Sequence, residues 1–122
     1  MKKIKIAYIG GGSKAWARVF MTDLALAEGL CGEIALYDID VPAAELNKRI
    51  GARINDDPNT VSKWDYRVYT EIGEALDGAD FVACSILPGT FEYYISEPVV
   101  ENDAKGVAPF VLCYTEVKRM LK

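Results

Sequence analysis

Three short segments carry the residues whose types and spacing could do chemistry: Gly10-Gly11-Gly12-Ser13-Lys14, Asp38-Ile39 and Ser85-Ile86-Leu87. Gly10, Gly12 and Ala15 fit the pattern G-x-G-x-x-G/A between a strand and a helix. Each position has a physical job: Gly10 permits a tight turn, Gly12 lets backbone approach a pyrophosphate, and Ala15 lets the helix pack close to the strand. The unpaired N–H groups of the helix's first turn, and its dipole, would then face the phosphates, with Ser13 adding a hydroxyl. A plain tight turn is the other reading of these glycines.

Asp38 follows Gly10 at more than the usual spacing of about 20 residues. A long first helix and a loop over 29–32 account for the excess. At the carboxyl tip of a second strand, its carboxylate could accept hydrogen bonds from ribose hydroxyls and would repel a 2′-phosphate, which favours NAD over NADP. A surface turn is the alternative for Asp38, and a helix cap is the reading for Asp40. Ser85, Ile86 and Leu87 end a fourth strand, where ligands of open α/β sheets sit; they could line a cofactor or simply turn the chain.

No residue stands out as catalytic. The chain has no histidine, so the commonest general acid–base group and transition-metal ligand is missing. Cys31, Cys84 and Cys113 are odd in number without a C-x-x-C, and reduced buried thiols are expected. Tyr93 and Tyr94 read as packing residues more readily than as proton donors. Asp56 and Asp57, beside Pro58, read as a solvated helix end rather than a metal site.

The elements that must position these segments alternate regularly. Ile4, Ile6, Tyr8 and Ile9 mark a first strand, and a helix is expected over about 14–28 with Trp16, Val19, Phe20, Leu24 and Ala27 on its apolar face. A second strand over 33–37 leads to a helix capped by Asp40, with Pro42 in its first turn and Ala43, Leu46, Ile50 and Ile54 facing the core. Trp64, Tyr66 and Val68 alternate with polar neighbours, as in an edge strand. A short helix over 71–76, with Thr70 as its cap, precedes an apolar run over 81–87 that fits a strand covered on both faces. A further helix near 91–102 is interrupted by Pro98, and residues 109–114 read as a fifth strand. The order β-α-β-α-β-α-β-α-β predicts an α/β fold: a Rossmann-like, doubly wound parallel sheet of about five strands in the order 3-2-1-4-5.

Composition agrees. The 122 residues, 51% hydrophobic and 26% charged, suit a single domain over 1–122. The net charge of −4, without a basic stripe, speaks against nucleic acid as a partner. Apolar runs are far shorter than a membrane span, and glycines 10–12 cut the first one too early for a signal peptide; a cytoplasmic location is the expectation.

Residues 5–13 (Lys5-Ile6-Ala7-Tyr8-Ile9-Gly10-Gly11-Gly12-Ser13), 35–40 (Ala35-Leu36-Tyr37-Asp38-Ile39-Asp40) and 79–82 (Ala79-Asp80-Phe81-Val82), with Ser85-Ile86, resemble the N-terminal region of glycoside hydrolase family 4. The resemblance runs over roughly residues 3 to 105. It implies an NAD- and divalent-metal-dependent glycosidase acting on a small-molecule glycoside. In that chemistry NAD⁺ takes a hydride from C3 of the sugar, the acidified C2 proton is removed, the aglycone is eliminated, water adds, and the hydride returns. This is an exception to two-carboxylate glycoside hydrolysis.

The resemblance also implies departures. The family's Cys and His ligands for Mn²⁺ or another divalent metal, and its tyrosine base, lie beyond this chain's end. Residues 101–108 look shorter than the family's connection, and Glu116 and Val117 replace an expected Asn-Pro after Cys113-Tyr114-Thr115. A chain truncated or internally deleted after about residue 105 is therefore expected. Its Phe110, Val111 and Leu112 would lie on an open strand edge, which predicts either self-association into a homo-oligomer or marginal stability. The missing arginine near Leu87 leans towards unphosphorylated sugars. Two rival readings stand beside this one: a non-catalytic NAD-binding module that has lost its catalytic half, and a fragment of a lactate- or malate-type dehydrogenase.

Overall fold

The computed structural model describes residues 1–86. The chain divides into two units, Met1–Ile86 and Leu87–Lys122, of which the first is the one described. The fifth strand, its open edge, Leu87, Tyr93, Tyr94 and Cys113 lie outside the described residues.

The elements of the first unit run β1 (Lys2–Ile9), α1 (Trp16–Leu26), β2 (Leu30–Tyr37), α2 (Val41–Asn55), β3 (Trp64–Tyr69), α3 (Ile72–Leu76) and β4 (Phe81–Cys84). All strands are parallel, in the order β3-β2-β1-β4. This is the Rossmann-like parallel arrangement read from the sequence, for the four strands described. In register, Ile6 pairs with Ile34 and Phe81, and Ile34 pairs with Tyr66. Strand order turns back between β1 and β4, so the carboxyl ends of β1, β2 and β4 surround one crevice.

Period-2 alternation sends Ile4, Ile6, Tyr8, Ile34, Leu36, Trp64 and Tyr66 to one face, where they form the core with Ala17 and Met21. Each fully buried Ile, Leu or Met side chain there contributes roughly 1.5–3 kcal/mol. The α1 stripe is the expected one only in part: Phe20 and Leu24 pack against the core. Ala17, Met21 and Ala25 are buried, while Trp16 and Val19 are 72% and 55% exposed. Ala17 and Ala25 let the helix approach the sheet, Met21 fills the core, and Trp16 and Val19 turn outward. On α2 the expected Ile50 and Ile54 pack against the core, while the buried residues are Ala44, Asn47 and Gly51 and Leu46 is exposed. Gly51 admits the Tyr66 ring, which a Cβ there would meet at 2.6 Å.

Other boundaries move as well. β2 begins at Leu30, so Gly32 is a strand residue and not a loop glycine. Its φ is +142°, and a Cβ would fall 1.8 Å from the Ile4 carbonyl oxygen. α1 begins at Trp16, later than expected. Glu71 takes the cap position of α3 and makes no side-chain cap bond, and Thr70 lies outside it. The Asp40 cap of α2 is present, its carboxylate accepting the Ala43 N–H at 3.1 Å.

β3 closes one end of the described sheet and shows the expected half-exposed pattern. Asn55 pins its start, donating to the Trp64 carbonyl (2.7 Å) and accepting the Trp64 N–H (3.1 Å). β4 departs from the double-sided cover predicted for it: Phe81 and Val82 are 43% and 56% exposed. The short α3 packs against β1, β2 and β3. Cys84 is exposed and Cys31 half-buried, so neither is the sealed core thiol expected.

Candidate functional site at the strand carboxyl ends

The three segments singled out from the sequence meet at the carboxyl ends of β1, β2 and β4. The Gly10 and Gly11 N–H groups both donate to the Tyr37 carbonyl, at 2.9 and 2.8 Å, which ties the glycine loop to the tip of β2. The Gly12 N–H donates to Asp38 Oδ2 at 2.8 Å. On the other side, the Ser85 N–H donates to the Ile9 carbonyl at 2.8 Å. Gly10 has φ +92°, and a Cβ on it would lie 2.2 Å from the Ser85 carbonyl oxygen. Glycine is thus required here both by conformation and by the neighbouring chain.

Two expected roles shift. A Cβ on Gly12 would meet Ala43 Cβ at 2.8 Å and Asp38 Oδ2 at 2.9 Å. The space it leaves open is therefore space the protein itself fills. Ala15 is exposed and precedes α1, so the close helix–sheet approach rests on Ala17, fully buried in the helix's first turn.

The loop leaves a row of donors. Ser13 N–H donates to the Gly10 carbonyl (3.0 Å), and Ser13 Oγ accepts the Trp16 N–H (3.2 Å). Lys14, Ala15, Ala17 and Arg18 have backbone N–H groups without an acceptor among the described residues. They stand at the amino end of an 11-residue helix, where the dipole favours negative charge. The Lys14 side chain is exposed beside them.

Asp38 is half-buried, and each of its oxygens already accepts one N–H: Gly12 at 2.8 Å and Asp40 at 2.9 Å. A carboxylate offers about four acceptor positions, so two remain. Ile39, next to it, is 93% exposed. On the β4 side, Tyr8, Trp16, Cys84 and Ser85 line a pocket of about 260 Å³, and Ile86, next in the chain, is exposed.

One buried group at this site has no signature in the sequence. Asn47, fully buried on α2, donates to the Gly11 and Ser13 carbonyls at 2.8 and 2.9 Å. The one available signal was a polar side chain on the helix stripe shared with Ala44 and Gly51.

A cavity of about 590 Å³ lies elsewhere, among Lys3, Lys5, Glu33, Lys63, Asp65 and Arg67. These residues come from the early parts of β1, β2 and β3, away from the carboxyl ends that hold ligands in such sheets. Their charges already serve one another. Glu33 faces Lys5 (3.7 Å) and Arg67 (3.6 Å) and accepts the Tyr69 hydroxyl (2.8 Å). That bond, with burial, raises the Tyr69 pKa. Among the described residues no group of three His, Cys, Asp or Glu side chains could hold a metal ion, and no helix is long and apolar enough to cross a membrane.

Comparison with known proteins gives a consistent picture. The pattern of family 4 glycosyl hydrolases matches residues 5–106. An alpha-galacturonidase of Lachnoclostridium phytofermentans is 55% identical over 89 residues, covering 73% of this chain and 19% of that protein. The alpha-galacturonidase of Bacillus subtilis is 46% identical over 92 residues, covering 75% and 20%. The solved structure of LplD from Bacillus subtilis matches with a TM-score of 0.66 and 43% identity, over 75% of this chain and 20% of that one. The chain therefore spans about a fifth of the length of the relatives it matches.

Proposed function

The chain belongs to the family 4 glycosyl hydrolases, and from that premise we propose that residues 1–86 hold NAD(H) for a glycosidase acting on α-galacturonides. The observation that carries the nucleotide reading is the row of unpaired N–H groups at Lys14, Ala15, Ala17 and Arg18, with the Asp38 carboxylate beside it. The substrate class comes from the alpha-galacturonidases among its relatives. The family relationship favours this reading over a dehydrogenase fragment.

When bound, NAD supplies a transient oxidation at C3 of the sugar, as the family resemblance implies. The chain's own residues bind and orient. The N–H row donates to the pyrophosphate oxygens without a full positive charge, and the helix dipole adds to the attraction. The two open acceptor positions of Asp38 take the ribose hydroxyls, and its charge repels a 2′-phosphate. Exposed Ile39 offers an apolar surface beside the ribose, and Ser85 and Ile86 border the crevice on the far side. No metal-binding or proton-transfer role is assigned to residues 1–86.

Calorimetric titration with NAD⁺ and NADP⁺ tests this, alongside Asp38→Asn, which keeps an oxygen for the Gly12 N–H and removes the charge. Preference for NAD⁺, reduced in the variant, supports the assignment. Equal affinity for both nucleotides in the unaltered chain counts against Asp38 as the discriminating group.

A further inference from the structure

We propose that Asn47 is the positioning residue of the glycine loop: from beneath, it sets the direction in which the loop's N–H groups point. The inference rests on the nucleotide reading and adds a residue that the glycine pattern does not contain.

Asn47 is fully buried on α2, and each of its side-chain hydrogen bonds serves the loop or its own orientation. Both amide hydrogens are used, one on the Gly11 carbonyl (2.8 Å) and one on the Ser13 carbonyl (2.9 Å). Its oxygen accepts the Arg18 Nε–H at 3.1 Å. Arginine can only donate, so this contact fixes which end of the amide faces the loop.

A trans peptide points its C=O and N–H in opposite directions. With the Ser13 carbonyl drawn inward to Asn47, the Lys14 N–H is turned away from α2, and it has no acceptor among the described residues. With the Gly11 carbonyl drawn inward, the Gly12 N–H is delivered to Asp38. Asn47 thereby joins both halves of the site, the phosphate-facing amide and the ribose-facing carboxylate. The chemistry requires a neutral amide. A carboxylate of the same shape would keep the Arg18 contact but place acceptors against two carbonyl oxygens.

The test is Asn47→Asp in the full chain, read by amide hydrogen exchange without nucleotide and by NMR titration with ADP and adenosine. Exchange at Gly12 and Lys14 is expected to change while the sheet amides of Ile34 and Leu36 keep their protection. Affinity for ADP is expected to fall by about tenfold or more, the scale of a lost hydrogen bond. Affinity for adenosine, which has no phosphate, falls less. Should Asn47→Asp not fold, Arg18→Met removes only the orienting donor and is expected to disturb the same two amides. If the unaltered chain binds neither ADP nor NAD⁺, the nucleotide reading fails and the positioning role falls with it. If ADP binds and loop exchange and affinity are unchanged in the variants, the role of Asn47 alone is overturned.

Discussion

Gly12→Ala separates two explanations of the same glycine. One holds that a Cβ is absent to make room for a pyrophosphate. The structure places the crowding inside the protein, with Ala43 Cβ at 2.8 Å and Asp38 Oδ2 at 2.9 Å from the added carbon. Gly12 carries no positive φ, so packing dominates the cost. Overpacking of this kind costs about 1–3 kcal/mol. Swinging Asp38 aside to relieve it would break the 2.8 Å bond from the Gly12 N–H, a charged-group bond worth about 1.5–3 kcal/mol. Restricting the unfolded chain returns about 0.4–1 kcal/mol. A net loss of about 1–2 kcal/mol results, which lowers the urea midpoint by roughly 0.5–1 M for a slope of about 2 kcal/mol/M. Because the two added contacts lie on opposite partners, Ala43→Gly in the same chain should recover part of the loss, after allowance for about 1 kcal/mol of helix propensity. An unchanged midpoint together with abolished nucleotide binding would refute the reasoning and return the crowding to the ligand's side.

Three further outcomes are expected. Gly32→Ala, with φ +142° and a Cβ 1.8 Å from the Ile4 carbonyl oxygen, separates β1 from β2 and costs about 4 kcal/mol or more, seen as loss of a cooperative unfolding transition. Asp40→Ala removes the α2 cap and costs about 1 kcal/mol by urea unfolding. Burial pushes the Tyr66 hydroxyl up from 10.0 to about 12, and it has no partner among the described residues. Its folded pKa lies above the unfolded one, so the stability it protects is intact below pH 10 and is lost as pH rises towards 12. Tyr66→Phe should therefore lose no stability at neutral pH, and its melting temperature should fall less between pH 10 and 12 than that of the unaltered chain.

The parallel order of the strands was legible because apolar alternation and glycine punctuation recur at strand and helix spacing. Helix faces were less so. On α1, Trp16 and Val19 repeat at helical spacing as convincingly as Ala17 and Met21, and hydrophobicity alone favours the larger side chains. The face that meets the sheet is set by the approach of the helix at Ala17 and Ala25, and that is a tertiary property. Gly32 looked like a loop glycine because its reason, the Ile4 carbonyl, sits on another strand. The glycine loop, Asp38 and Ser85 were singled out because phosphate and ribose recognition would impose residue types at set places, and the structure brings the three together at the strand carboxyl ends. Asn47 was not, since a buried asparagine among α2's small residues has meaning only once the carbonyls above it are known.

Where the dinucleotide binds is tested most directly by an amide-resolved NMR titration of the chain with NAD⁺. Binding at the strand carboxyl ends predicts shifts at Lys14, Ala15, Ala17, Arg18 and Ile39, with Lys3, Lys63 and Asp65 unmoved. Shifts confined to Lys3, Lys63 and Asp65, around the larger cavity at the early ends of the strands, would contradict it.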